Sequence, residues 1–227
     1  MRNETSHPFI RPAGAIAITL LLAAAPCQAE ENWKGVYIDA FGGLSMLSGG
    51  DVAQSGATSK GSYDRGFLAG LAVGKQVSSA WALEIEWFYR SNEVESMTGG
   101  PFAAVTEGDF ASTNLMFNAV RTFGGDASVP AASRAITPYL GLGIGFMQEV
   151  DIDLTVGGVE QEYSDNWVPA FQVMAGAIYP VSGKLSAFVE LRYHHAGSPK
   201  LDPRSGGATV EADYNGVTAH LGLRHSF

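Results

Sequence analysis

Three stretches of this sequence carry residue types that can do chemistry. "RYHHAGSPK" places His194, His195 and Ser198 close together. A nucleophilic serine needs a base within hydrogen-bond reach and a third group to orient that base. "WALEIEWFYR" sets Glu84 and Glu86 two apart, as in a general acid–base pair on one face of an element. "PYLGLGIGF" has the glycine density of a phosphate-cradling loop. The element that holds each stretch decides between these readings and plainer ones. Neighbouring residues of a strand point to opposite faces, so His194 and His195 cannot readily share one metal ion. A phosphate loop needs a helix behind it, whereas Gly141, Gly143 and Gly145 alternate inside an extended run. With Arg90 and Arg192 available, Glu84 and Glu86 read as structural ion-pair partners. No catalytic, cofactor-binding or metal-binding residue is expected.

The elements are strands. Helical periodicity is absent after the first thirty residues, and a two-residue alternation replaces it. Trp81, Leu83, Ile85, Trp87 and Tyr89 face one way, while Ala82, Glu84, Glu86, Phe88 and Arg90 face the other. Leu140, Leu142, Ile144 and Phe146 oppose the three glycines. Val189, Leu191 and Tyr193 oppose Glu190, Arg192 and His194, and Leu221 and Leu223 oppose His220 and Arg224. Alternating segments also begin near Val36, Phe67, Ser112 and Phe171, which makes eight expected strands.

The chain opens with Arg2 and Arg11 around a polar stretch, an apolar run from Ala13 to Ala25, and the small-residue site Cys27-Gln28-Ala29. This is the layout of a secretory signal peptide over residues 1–29, with cleavage expected after Ala29. The run falls short of the roughly 20 residues that a spanning helix needs. Pro26 is the wrong residue before a lipoprotein cysteine. Cleavage removes Arg2, Arg11 and Glu4, leaving 12 basic and 22 acidic residues in a domain spanning 30–227. Cys27 leaves as well, so no disulfide is available. The acidic balance argues against a nucleic-acid partner.

Alternation alone does not say which face is wet; a soluble sandwich gives the same strings. Three features favour a barrel with its apolar face outward. Connections after strands one, three, five and seven are long and polar (Ser48–Asp64, Ser91–Asp109, Glu149–Asn166, Ala196–Asp213), and those near Ser78-Ser79 and Pro180–Lys184 are tight. Outer-membrane barrels alternate in this way. The connection at about 122–134 departs from the pattern, being long for a periplasmic turn. Trp81, Trp87, Tyr89, Tyr139, Trp167, Tyr179, Tyr193 and Phe227 cluster near segment ends, as interfacial girdles require. The polar face carries charges in mid-strand, and charges inside a narrow barrel must be paired. A lumen network of Asp39, Glu84, Glu86, Arg90, Glu190, Arg192, His220 and Arg224 is therefore expected, with Arg192 near His220.

"GVYIDAFGG", "ALEIEWFYR", "ITPYLGLGIGF", "AFQVMAGAIY", "VELRYHH" and the closing "GLRHSF" together resemble the porin-like outer-membrane β-barrel family. These are small eight-stranded barrels of Gram-negative bacteria, similar in architecture to the OmpA transmembrane domain. The resemblance covers nearly all of the chain after the signal segment. It implies an all-β fold, an eight-stranded antiparallel up-and-down transmembrane β-barrel in the outer membrane. It also implies that Phe227 is read by the barrel-assembly machinery; the family's Tyr/Phe-x-Phe ending is here His225-Ser226-Phe227. The expected function is a non-enzymatic membrane protein with four long surface loops, serving envelope integrity or surface interaction. A narrow channel for ions or small solutes is the alternative. A lipid A-modifying enzyme is disfavoured, because Ala196-Gly197 separates His195 from Ser198 where the deacylases have His-x-Ser. Expected partners are outer-membrane lipid and lipopolysaccharide around a monomer, with no cofactor.

Overall fold

The computed structural model describes residues 33–124 and 136–227. The expected signal segment with its cleavage after Ala29, and the connection from 125 onward, lie outside the described residues. Within them, the chain runs β1 (Val36–Leu47), β2 (Gly50–Gln54), β3 (Ala57–Tyr63), β4 (Gly66–Gln76), β5 (Trp81–Thr98) and β6 (Val105–Thr122). It continues as β7 (Thr137–Val156), β8 (Val159–Asp165), β9 (Val168–Ser182), β10 (Leu185–His195), β11 (Lys200–Pro203), β12 (Val210–Ala212) and β13 (Asn215–Ser226).

All pairings are antiparallel. They run β1–β4–β5–β6–β7–β9–β10–β13 and return to β1. A second circuit lies beyond the ends of the short strands: β5–β6–β7–β8–β11–β12–β2–β3 and back to β5. The two circuits share β5, β6 and β7. The described residues thus form thirteen strands against an expectation of eight. The four stretches read as polar loops carry β2, β3, β8, β11, β12 and the outer halves of β5, β6 and β7.

The inversion of polarity between the circuits explains that difference. In the first circuit the outward residues are apolar. Leu83, Ile85, Leu142, Ile144, Leu191 and Leu221 are each more than half exposed, and Asp39, Glu84, Glu86, Glu190, Arg192 and His220 are buried inside. A soluble sandwich would reverse both sets. In the second circuit the inward residues are apolar: Val52, Phe110, Ile152, Leu154, Leu201 and Val210 have no exposure at all. A β-bulge performs the switch on β7. Asn114 pairs with Met147 and Thr113 with Glu149, which leaves Gln148 as the extra residue. Ile144 and Phe146 face out before it, and Val150, Ile152 and Leu154 face in after it. One inserted residue flips every later side chain to the other face.

Inside the first circuit, aromatic rings lie across glycines of neighbouring strands. A Cβ on Gly74 would meet the Tyr37 ring, one on Gly176 the Tyr139 ring, and one on Gly222 the Phe188 ring. The rings occupy the volume those side chains would take. Gly176→Ala and Gly222→Ala are each expected to destabilise the refolded protein by about 1–3 kcal/mol, the usual cost of overpacking. Urea titration checks this: an unchanged midpoint in both variants would show that the rings are free to move aside.

Candidate functional site

The chemistry-bearing side chains collect on the inner face of the first circuit, where strand parity puts them. β10 contributes Glu190 and Arg192 from alternate positions, and β5 contributes Glu84 and Glu86. Arg192 is the hub. Its Nη1 and Nη2 both donate to the Glu86 carboxylate, Nη2 at 3.0 Å from Oε2. Its Nε and Nη2 donate to Glu190 Oε1 at 3.0 and 2.7 Å. Asn118 Nδ2 donates to Glu86 Oε2 (2.9 Å), and Tyr139 Oη donates to Glu190 Oε2 (2.7 Å). His220 Nε2 lies 3.3 Å from Glu190 Oε1. The guanidinium itself lies near Phe41 and Phe88, with its carbon 5.6 and 5.2 Å from their ring centroids.

A second cluster adjoins it. Arg224 donates to both oxygens of Asp39 (2.8 and 2.6 Å) and to Glu84 Oε1 (3.0 Å). Tyr37 Oη donates to the same Glu84 oxygen, and its ring lies 3.7 Å from the Arg224 guanidinium carbon. Seven of the eight expected network residues therefore meet in two linked clusters. The cavity left among them is about 10 Å³, room for one water. His220 pairs across the sheet with Glu190, and Arg192 pairs with Thr218, so Arg192 and His220 are joined through Glu190. Tyr37, Tyr139, Asn118 and Gln172 complete the clusters and were not expected there. Their inward parity was readable in the sequence, but their neutral side chains gave no cue to an ionic partner.

Arg90 is the exception. It sits higher on β5, opposite Leu68 and Ser112. Its Nε donates to Tyr214 Oη at 2.8 Å, and it has no carboxylate partner among the described residues. The histidines separate to opposite faces as their strand requires. His194 is fully buried beside Phe88 and Tyr214, and His195 packs outward against Phe171 and Tyr193. Ser198 donates to Asp213 Oδ1 at 2.6 Å rather than to a histidine.

On the outer circuit Glu93, Asp109, Asp153 and Glu162 stand directly opposite one another across β5 to β8. Asp109, Asp151 and Asp153 bring carboxylate oxygens within 4.8 Å of one another. These are oxygen donors of the kind hard cations take, but three carboxylates fall short of the six to eight oxygens of a calcium shell. Burial, then Asp153, Asp109 and Glu149, push the Asp151 carboxyl up to about 7. Burial, then Asp109 and Glu162, push Asp153 up to about 6.

Aromatic pairs bound the apolar band at both ends. Trp33 and Phe227 lie 5.4 Å apart at one end. Phe67 with Tyr89, Phe146 with Trp167, and Phe171 with Tyr193 lie 5.9 to 6.3 Å apart at the other. An apolar exterior between two aromatic girdles, around a polar interior, is the pattern of outer-membrane barrels. Residues 15–226 match the family described as "Outer membrane protein beta-barrel domain". The chain belongs to that family. It is similar in fold to the neisserial surface protein A NspA (17% identity, TM-score 0.52, covering 86% of this chain and 98% of that one). It is also similar to the outer membrane protein OprG from Pseudomonas aeruginosa (17% identity, TM-score 0.55, covering 86% and 96%). No curated protein matches the chain. The protein is an outer-membrane β-barrel protein of Gram-negative type, and the outer acidic carboxylates stand beyond its apolar band.

Two outcomes follow from this geometry. Arg192→Ala leaves Glu86 and Glu190 buried without their cation, a loss that typically costs about 3–5 kcal/mol. The urea midpoint of the refolded barrel should fall accordingly, and an unchanged midpoint would mean that the network does not hold the interior. The raised carboxyls act in the opposite sense to a salt bridge. The folded outer sheet holds these protons more tightly than the unfolded chain, whose aspartates titrate near about 3.9. The stability they contribute is present at low pH and is lost as pH rises through 6 to 7. Amide exchange in the hairpin at 150–165, corrected for its intrinsic rate, should be faster at pH 8 than at pH 5, and Asp151→Asn should narrow the difference.

Proposed function

We propose that the closed circuit of eight long strands is the membrane-spanning barrel, and that the protein is a non-enzymatic, non-conducting outer-membrane component. Its outer strands form a rigid acidic structure at the cell surface that serves envelope integrity or surface interaction. The observation that carries this reading is a lumen filled at two successive levels. The Arg192 and Arg224 clusters leave space for about one water. Above them Phe110, Met147, Ile152, Leu154, Leu201 and Val210 pack into a continuous apolar core. Phe102, on the turn between β5 and β6, is buried at its outer end. The Phe102 N–H donates to Ser59 Oγ at 3.1 Å, and the ring meets Tyr163 edge-on.

A hydrated ion crossing this interior would have to break charge-assisted hydrogen bonds and then traverse an apolar plug. The non-enzymatic reading rests on Ser198 and the two histidines, which lie in different surroundings. On this reading outer-membrane lipid and lipopolysaccharide surround the apolar band. A monomer suffices, because the eight-strand circuit leaves no strand edge unpaired.

Planar-bilayer recordings of the purified protein test the proposal. No steady unitary conductance is expected in molar potassium chloride. A reproducible conductance would establish the narrow channel instead. Unchanged lipid A mass spectra with and without the protein are expected as well, and an altered acyl pattern would point to an enzyme.

A further inference from the structure

Above the ion-pair clusters the lumen holds a cation that they do not account for. Arg90 has no solvent exposure. Its Nε is satisfied by Tyr214 Oη, and the guanidinium carbon lies 4.5 Å from the centroid of that tyrosine's ring. Tyr214 is held in turn by Ser112 Oγ at 2.6 Å, and Asn114 Nδ2 donates to the same oxygen at 2.8 Å. Nη1 and Nη2 of Arg90 meet no acceptor among the described residues. His194, also without exposure, stands edge-on to the Tyr214 ring at 6.3 Å, and neither of its ring nitrogens has a partner.

A guanidinium withdrawn from water is strongly unfavourable unless a counter-charge compensates it. The lumen carboxylates are committed below: Asp39 and Glu84 to Arg224, and Glu86 and Glu190 to Arg192. Leu68 on the neighbouring β4 and Phe88 on β5 itself, both also buried, offer no charge. The ring of Tyr214 covers one face of the guanidinium but leaves the end of the fork unmatched. Two Nη groups presented side by side suit an anion, since the planar fork is already organised to donate two parallel hydrogen bonds.

We propose that Arg90 binds a small inorganic anion of the halide class in the upper lumen, with His194 beside it. Full enclosure of the guanidinium excludes large organic anions, so charge and size together set the ligand class. The site is independent of whether the barrel conducts: a silent bilayer leaves it standing, and loss of anion binding leaves the closed lumen standing.

The test uses the full barrel refolded in micelles, with sodium chloride exchanged for sodium gluconate at constant ionic strength. A ligand that binds only the folded state stabilises it by mass action. A chloride concentration one hundred times the dissociation constant should raise the folding equilibrium constant about 100-fold. The urea midpoint should therefore climb with chloride, and Arg90→Met should remove that dependence. A midpoint indifferent to chloride, or a dependence that survives in Arg90→Met, overturns the proposal. If Arg90→Met does not refold, crystals of the unaltered protein refolded and crystallised in sodium bromide decide. An anomalous peak within hydrogen-bond distance of Nη1 or Nη2 supports the site, and the absence of one rejects it.

Discussion

A backbone N–H or C=O left unpaired in hydrocarbon has no water to turn to, so a sheet that spans the membrane must close on itself. Here the pairing of β13 with β1, from Tyr37↔Ser226 to Leu47↔Gly216, makes that closure. Much of the interior follows from it. Eight strands enclose a space that side chains can fill and little more. A large inward ring therefore needs a glycine opposite, as Tyr37 has Gly74 and Tyr139 has Gly176. An inward charge needs its counter-charge within the same layer, because nothing wider than a water separates the walls.

Above the outer aromatic girdle the constraint changes. Water reaches the exterior, so the strands can present Asp and Glu outward and bury Val, Ile, Leu and Phe inward, as a soluble β-protein does. The bulge at Gln148 carries β7 from one regime to the other without ending the strand. β2, β3, β8, β11 and β12 supply the pairings that keep the outer extension closed. Exposed strand edges invite association with other chains, and the second circuit pairs much of the outer sheet's edge, although β8 meets β11 only at Tyr163 and Ser164.

The same inversion sets how much was legible in the sequence. Period-two alternation located the strands of the first circuit, because their outward stripes are apolar and uninterrupted, as in Leu140, Leu142, Ile144 and Phe146. The outer strands alternate as well, but there the inward apolar residues are isolated among polar ones, as Ile152 and Leu154 are between Asp151, Asp153 and Thr155. Alternation of that kind, bracketed by Ser, Gly and Asp, reads as loop. Parity put Asp39, Glu84, Glu86, Glu190, Arg192 and Arg224 on one face. It says nothing of height along the barrel axis, and for that reason Arg90, which shares their face, was assigned to their network. Height depends on cross-strand register, which pairs Glu190 with His220 and Arg192 with Thr218. Register is fixed by partners far away in the chain.

A buried ion pair is weak support for stability, since a packed apolar substitute is often as good. Its value in this lumen lies in specifying register. With an apolar outer face and an equally apolar inner face, β5 could slide by one residue and lose little. With Glu84, Glu86 and Arg90 on the inner face, the same slip turns all three into lipid and takes Glu86 from Arg192 and Glu84 from Arg224. Charges facing lipid cost up to about 2–4 kcal/mol each near the midplane, less for carboxylates. Removing one partner of a buried pair adds about 3–5 kcal/mol. The one-residue slip is therefore excluded by several times the worth of any single contact. Beyond the girdle, where charged residues can face water, the chain fills the lumen with apolar side chains.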